Sequence, residues 1–128
     1  MLEIIGLRQQ MIMQCIWDAK EAVTVNQIAD KLEERQGERL SISTIHTLCV
    51  RLEKKGFLKK GEKIRSAFTY TACVTEAEFR KSEIERMRKY TFRDSSSTMI
   101  ISMLDVKDLT NKDLEEIKKI LKQYDKQQ

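Results

Sequence analysis

The sequence predicts a mainly α-helical chain with one small β hairpin, and three observations carry that expectation. Its 128 residues include four glycines and no proline, so little in the composition interrupts helices. Three threonines, Thr24, Thr75 and Thr110, each stand three residues ahead of a Gln, Glu or Asp and sit among apolar neighbours. One stretch, "AFTYTA", abandons the helical period and alternates instead, as a strand does.

The elements follow in order. A first helix is expected over roughly Leu7 to Asp18, with Met13, Ile16 and Trp17 as its apolar residues. "VTVNQI" then starts a second helix. The Thr24 hydroxyl caps the free amides of the first turn, Gln27 reaches back, and Val23 and Ile28 can staple the entry. That helix runs from Val25 to about Arg35 with Ile28, Ala29 and Leu32 inward. A third starts near Ser41 and directs Ile45, Leu48, Cys49 and Leu52 inward. Gly56 stops it; with that glycine left-handed, Phe57 falls where a Schellman motif packs against Leu52.

Leu58 to Lys60 is expected to pair with Ala67 to Thr71 across a loop carrying Gly61 to Arg65. "VTEAEF" starts a helix from Glu76 to about Tyr90, which "RDSSST" breaks. A short apolar helix covers Met99 to Leu104. "LTNKDL" starts the last helix, Asn111 to about Tyr124, with Leu114, Ile117, Ile120, Leu121 and Tyr124 on one face. The expected division is residues 1–74 for the helices and hairpin, and 75–128 for a second helical lobe.

Several function classes recede. No apolar run approaches the roughly 20 residues of a membrane span, and "MLEIIGLRQQ" lacks the pattern of a signal peptide, so no membrane partner and a cytoplasmic location are expected. Cys15, Cys49 and Cys73 are odd in number and widely spaced, and are read as reduced core thiols. With His46 the single histidine, no zinc cluster of ordinary spacing can form, and no metal or other cofactor is expected. No nucleophile–histidine–acid set and no glycine-rich phosphate loop occurs, so the chain is not read as an enzyme.

Charge points elsewhere. The chain carries a net +4, yet Arg51 to Arg65 alone holds seven basic residues (Arg51, Lys54, Lys55, Lys59, Lys60, Lys63, Arg65) against two acidic ones. A basic patch so concentrated fits a polyanion. Three helices followed by a basic hairpin is the order of a winged helix-turn-helix, whose third helix enters the major groove of double-stranded DNA. The seven basic residues would then meet backbone phosphates. Ser43, Thr44, His46, Thr47 and Val50, on the outward face of the third helix, would read base edges and thymine methyls. A winged helix used for protein–protein binding, as an antirepressor or partner subunit, is the alternative, motivated by a reading face that carries little charge.

The stretches "MQCIWDAKEAVTVNQIADKL", "STIHTLCVRLEKKGFLKK", "AFTYTA" and "LTNKDLEEIKKILK" resemble the penicillinase-repressor family of bacterial transcription factors (BlaI/MecI/CopY type), from about Leu7 onward. The most specific part is T-x-x-T-L-x-x-R-L-x-K-K-G at Thr44, Thr47, Leu48, Arg51, Leu52, Lys54, Lys55 and Gly56, preceded by Ile16-Trp17. The resemblance implies a homodimeric repressor on a palindromic operator, dimerised through its C-terminal helices. Phe79, Met87, Tyr90, Met99, Ile101, Leu104, Leu114, Ile117, Ile120, Leu121 and Tyr124 are the expected dimer residues.

Two departures stand out. Family members often carry Lys or Arg on the reading helix where this chain has Ser43 and His46, and "KQYDKQQ" lacks the cysteines of the copper-responsive branch. In antibiotic-responsive members a sensor-linked protease cuts an Asn-Phe pair, which aligns here with Ser102-Met103, where neither residue matches.

Overall fold

A computed structural model describes residues 1–105 and 108–127. The elements are α1 (Leu7–Asp18), β1 (Val23–Thr24), α2 (Val25–Gln36), α3 (Ile42–Lys54), β2 (Leu58–Ile64), β3 (Ala67–Ala72), α4 (Glu76–Arg86), α5 (Ser96–Leu104) and α6 (Asn111–Gln127). One turn of π-helix, Met87–Thr91, follows α4. The chain divides into two compact units, Met1–Ile84 and Glu85–Gln128. The division therefore falls inside α4, later than the 74/75 boundary read from the sequence. No helix among the described residues is long and apolar enough to cross a membrane.

All three threonine start signals form. The Gln27 amide hydrogen is donated to Thr24 Oγ1 at 3.3 Å, and Thr24 N–H is donated to Gln27 Oε1 at 2.9 Å. Glu78 and Thr75 exchange the same pair, and Asp113, despite its shorter side chain, accepts from Thr110 N–H at 3.0 Å. Two further starts carry weaker sequence signals. Ser41 caps α3 and Ser95 caps α5, each accepting an amide hydrogen three residues on, at 3.1 Å and 3.2 Å.

The first unit packs α1, α2 and α3 over one core. Ile12, Met13, Ile28, Ala29, Ile45, Cys49 and Leu52 are all buried. The sheet has the order β1-β3-β2, antiparallel throughout. Its first strand is only Val23–Thr24, which pairs with Tyr70 and Thr69. This helix–strand–helix–helix–strand–strand order, with the last two strands as a hairpin, is a winged helix-turn-helix.

The hairpin is tighter than the sequence predicts. β2 continues to Ile64, and only Arg65 and Ser66 make the turn, both at positive φ (51° and 70°). Gly61 and Glu62 lie in a β-bulge between Lys60 and Lys63, not in a loop. Thr69 Oγ1 donates across the bulge to the Glu62 carbonyl at 2.8 Å. A Cβ at residue 61 would stand 2.7 Å from that same hydroxyl, so any side chain there would displace it.

Phe79 is a second correction. Expected among the dimer residues, it instead has its ring buried in the first unit, 5.5 Å from Trp17 and 6.1 Å from Phe57 between centroids. Trp17 Nε1 donates to the Val74 carbonyl at 2.8 Å and closes the same corner. The start of α4 is thereby an integral part of the first unit.

In the second unit, Met99 is the only buried apolar side chain among the described residues, so it is already covered within its own chain. α6 buries none of its side chains. Ile101, Ile120, Leu121 and Tyr124 are exposed by 59%, 63%, 56% and 59%. The helix expected to reach Tyr90 does so, as α-helix to Arg86 and then as the wider π turn, Phe92 N–H being donated to the Met87 carbonyl. Arg93 and Asp94 then take positive φ, and Arg88 pairs with Asp94 at 3.2 Å.

Candidate nucleic-acid interface

Helix α3 is held by one face only. Ile45, Cys49 and Leu52 are fully buried beneath it, while Ser43, His46, Thr47 and Arg51 are exposed and Thr44 and Val50 are half-buried. Its stop is a complete Schellman motif. Gly56 has φ 83°, Phe57 N–H is donated to the Leu52 carbonyl at 2.9 Å, and Gly56 N–H to the Glu53 carbonyl at 3.1 Å. Phe57 is buried, and this anchors the start of β2 to the end of α3.

The exposed face is rich in hydroxyls that are already ordered. Ser41 Oγ lies 2.7 Å from Thr44 Oγ1 and 3.2 Å from Ser43 Oγ, and Thr47 Oγ1 donates to the Ser43 carbonyl at 3.0 Å. Each of these oxygens keeps acceptor capacity, and the Thr47 methyl is fixed by its hydroxyl's bond. The face thus presents acceptors, two threonine methyls and one imidazole.

A groove of about 650 Å³ opens between this face and the hairpin. Ile42, Ser43, His46 and Thr47 of α3 line one wall, and Ser66, Ala67 and Phe68 the other, with Val25 and Asn26 of α2 at the end. Sequence reading singled out Ser43, His46 and Thr47 but missed Asn26, Ile42 and Phe68. Asn26 lies within the first turn after the Thr24 cap, so the start signal itself marked it as a polar side chain at a helix entrance. Phe68 was seen only as one term of a strand alternation.

The basic residues separate by role. Lys54, Lys59, Lys60, Lys63, Arg51 and Arg65 are exposed. Lys55 departs from the group. It is half-buried, and its ammonium donates to the Ile4 carbonyl at 2.7 Å, tying the N-terminal segment to the cap of α3. Elsewhere in the first unit Arg35 pairs with Asp18, and Arg39 with Asp30 and Glu33, so those cations are neutralised locally.

The thiols divide in a similar way. Burial pushes the Cys49 thiol up to about 12, and burial also raises Cys15. Both are protonated and unreactive near neutrality. Cys73 departs from the core reading, since it is exposed just beyond β3. No group of three or more His, Cys, Asp or Glu among the described residues could hold a metal ion.

Comparison with known proteins identifies a family. The family model described as Penicillinase repressor matches residues 5–123. The methicillin resistance regulatory protein MecI of Mammaliicoccus sciuri is 29% identical over 112 residues, covering 86% of both chains. The penicillinase repressor of Staphylococcus aureus is 25% identical over 122 residues, covering 95% of this chain and 94% of that one. Among solved structures, the DNA-binding domain of the repressor BlaI is 29% identical, covers 61% of this chain and 93% of that chain, and superposes with a TM-score of 0.49. With the family match spanning nearly its whole length, the chain belongs to the penicillinase-repressor family of winged helix-turn-helix transcriptional regulators.

Proposed function

We propose that the protein is a homodimeric transcriptional repressor whose first unit binds one half of a palindromic operator and whose second unit joins two chains. The observation that carries the reading is the seating of α3. Ile45, Cys49 and Leu52 are buried beneath it, its polar side is free and ordered, and a basic hairpin stands beside it. That arrangement supports the reading that α3 enters the major groove and the lysines meet the flanking phosphates. In this reading Ser43, Thr44, His46, Thr47 and Val50 meet bases. Arg51, Lys54, Lys59, Lys60, Lys63 and Arg65 meet phosphates, and Lys55 serves the N-terminal tie first.

The unpartnered apolar side chains of the second unit support the dimer. A 17-residue amphipathic helix that buries nothing is incomplete in a single chain. Ile101, Leu104, Leu114, Ile117, Ile120, Leu121 and Tyr124 make the proposed interface, helped by Met87 and Tyr90. The relatives, a methicillin resistance regulatory protein and a penicillinase repressor, favour repression over the alternative of a protein-binding winged helix. Selection of bound duplexes from a random pool is the direct test. A recovered palindrome supports the reading. A pool that never enriches, with binding indifferent to salt, would refute it.

A further inference from the structure

Residues three apart in a regular strand point to opposite faces, yet Lys60 and Lys63 of β2 both reach one ring. The bulge at Gly61 and Glu62 shifts the strand's phase between them. The ammonium of Lys60 lies 4.8 Å from the centroid of Phe68, and that of Lys63 lies 4.7 Å from it. Neither lysine has an ion pair among the described residues. The two ammoniums can be no farther apart than the two ring distances laid end to end, so like charges share one ring with no carboxylate at ion-pairing distance among the described residues. The aromatic face offsets part of that repulsion. An anion between the two would offset the rest.

We propose that Phe68 is a positioning residue for DNA binding: its ring holds Lys60 and Lys63 together as a clamp for a single backbone phosphate. The inference rests on the reading that the hairpin meets DNA. Several parts of the hairpin build the clamp. Gly61 lets the bulge form against Thr69, the Thr69–Glu62 bond fixes it, and the cross-strand pairing of Lys63 with Phe68 sets the height of the ring. Phe68 is 42% exposed and lines the groove beside α3, so the clamp sits where a strand passing along that groove would present its phosphates. Holding two lysine side chains in place beforehand removes an ordering cost that binding would otherwise meet.

A double-mutant cycle on the full chain tests this, with a random-sequence duplex as the probe because a phosphate contact is blind to sequence. Phe68→Leu keeps every charge and should weaken binding roughly five-fold or more, the equivalent of ordering two lysine side chains. Phe68→Tyr and Phe68→Trp, which keep an aromatic face, should restore it. Replacing Lys60 and Lys63 by Met should weaken binding further and lower the salt slope by about 0.9 per chain. In that Met background Phe68→Leu should cost nothing more.

An equal Phe68→Leu loss in both backgrounds would overturn the proposal, since the ring would then act without the lysines. Undiminished binding by Phe68→Leu in the native background would overturn it too. If the Met pair itself left affinity and slope unchanged, the hairpin would not meet phosphates, and the reading beneath the proposal would fall with it. Should Phe68→Leu disturb folding, the unmodified protein still decides. The ε-methylene protons of Lys60 and Lys63 should be shifted upfield by the ring, and ordinary lysine shifts would refute the clamp.

Discussion

Replacing Leu121 by Asp should turn the proposed dimer into a monomer while leaving its first unit intact. Leu121 is 56% exposed in the single chain and lies on the same stripe of α6 as Leu114, Ile117 and Tyr124. Fully burying a leucine side chain is worth about 1.5–3 kcal/mol, so covering the exposed part contributes about 1–1.5 kcal/mol per chain. A two-fold interface counts the residue twice, giving about 2–3 kcal/mol. Leu121→Ala should therefore raise the dimer dissociation constant about 30- to 150-fold. Leu121→Asp should exceed this, because two carboxylates would have to enter an apolar interface. Sedimentation velocity over a nanomolar to micromolar series reads the shift directly. Thermal melting of the first unit, followed through the Trp17–Phe79 corner, should be unchanged. If Leu121→Asp sediments with the unmodified protein at every concentration, α6 is not the joint and the reasoning from its exposed face is wrong.

The two kinds of DNA contact should separate. Thr47→Ala or His46→Ala should change base preference by about 1–3 kcal/mol, whereas Lys59→Met or Arg65→Met should weaken operator and random duplexes alike and flatten the salt slope; binding titrations on both duplexes check it, and equal losses in both sets would refute it. Gly56→Ala meets no atom within 4 Å, so its cost should be that of the left-handed backbone alone, about 1–2 kcal/mol in urea unfolding. Above pH 9 the unfolded chain releases a Cys49 proton that the folded chain keeps up to about 12, so the Cys49 contribution to stability should fall as pH rises through that window; Cys49→Ala should remove this part of the slope. A protease site engineered at Ser102-Met103 within α5, cut to completion, should abolish dimer-dependent operator affinity without changing binding of a single half-site, and undiminished operator affinity would exclude release by separating the lobes.

What was legible in the sequence was what neighbouring residues decide among themselves. A threonine, a polar residue three on and two flanking apolar residues suffice to start a helix, and Gly56 with Phe57 suffices to stop one. What was hidden depends on partners distant in the chain. β1 is two residues long and exists only because β3 lies beside it. The turn at Arg65 and Ser66 takes positive φ without the Asn-Gly or Asp-Gly pair that usually announces it. Phe79 recurs with helical spacing like its neighbours, and spacing alone does not say which of two cores receives it. The Lys55 tie to Ile4 links residues 51 positions apart and leaves no local trace. Within the site, residue type indicated Ser43, His46 and Thr47 as candidates, while Phe68 became visible only once the bulge had placed two lysines over it.

The composition of the interface bears on how such a repressor would be switched. The exposed face of α3 offers hydroxyls, methyls and one imidazole, and its first arginine comes only at Arg51, in the last turn. Several of the hydroxyls are already bonded to one another or to the helix. In the proposed mode one half-site would therefore be read with modest energy, and the stronger attraction would come from hairpin and helix-end charges that do not distinguish sequences. Discrimination in the proposed mode then arises by requiring two half-sites at once. Joining two weak binders makes the second contact intramolecular, at an effective concentration of order millimolar, and multiplies affinity without any new contact to DNA. Occupancy in that mode would follow the dimer equilibrium steeply, and whatever loosened α5 or α6 would release the operator while leaving every DNA-facing side chain in place.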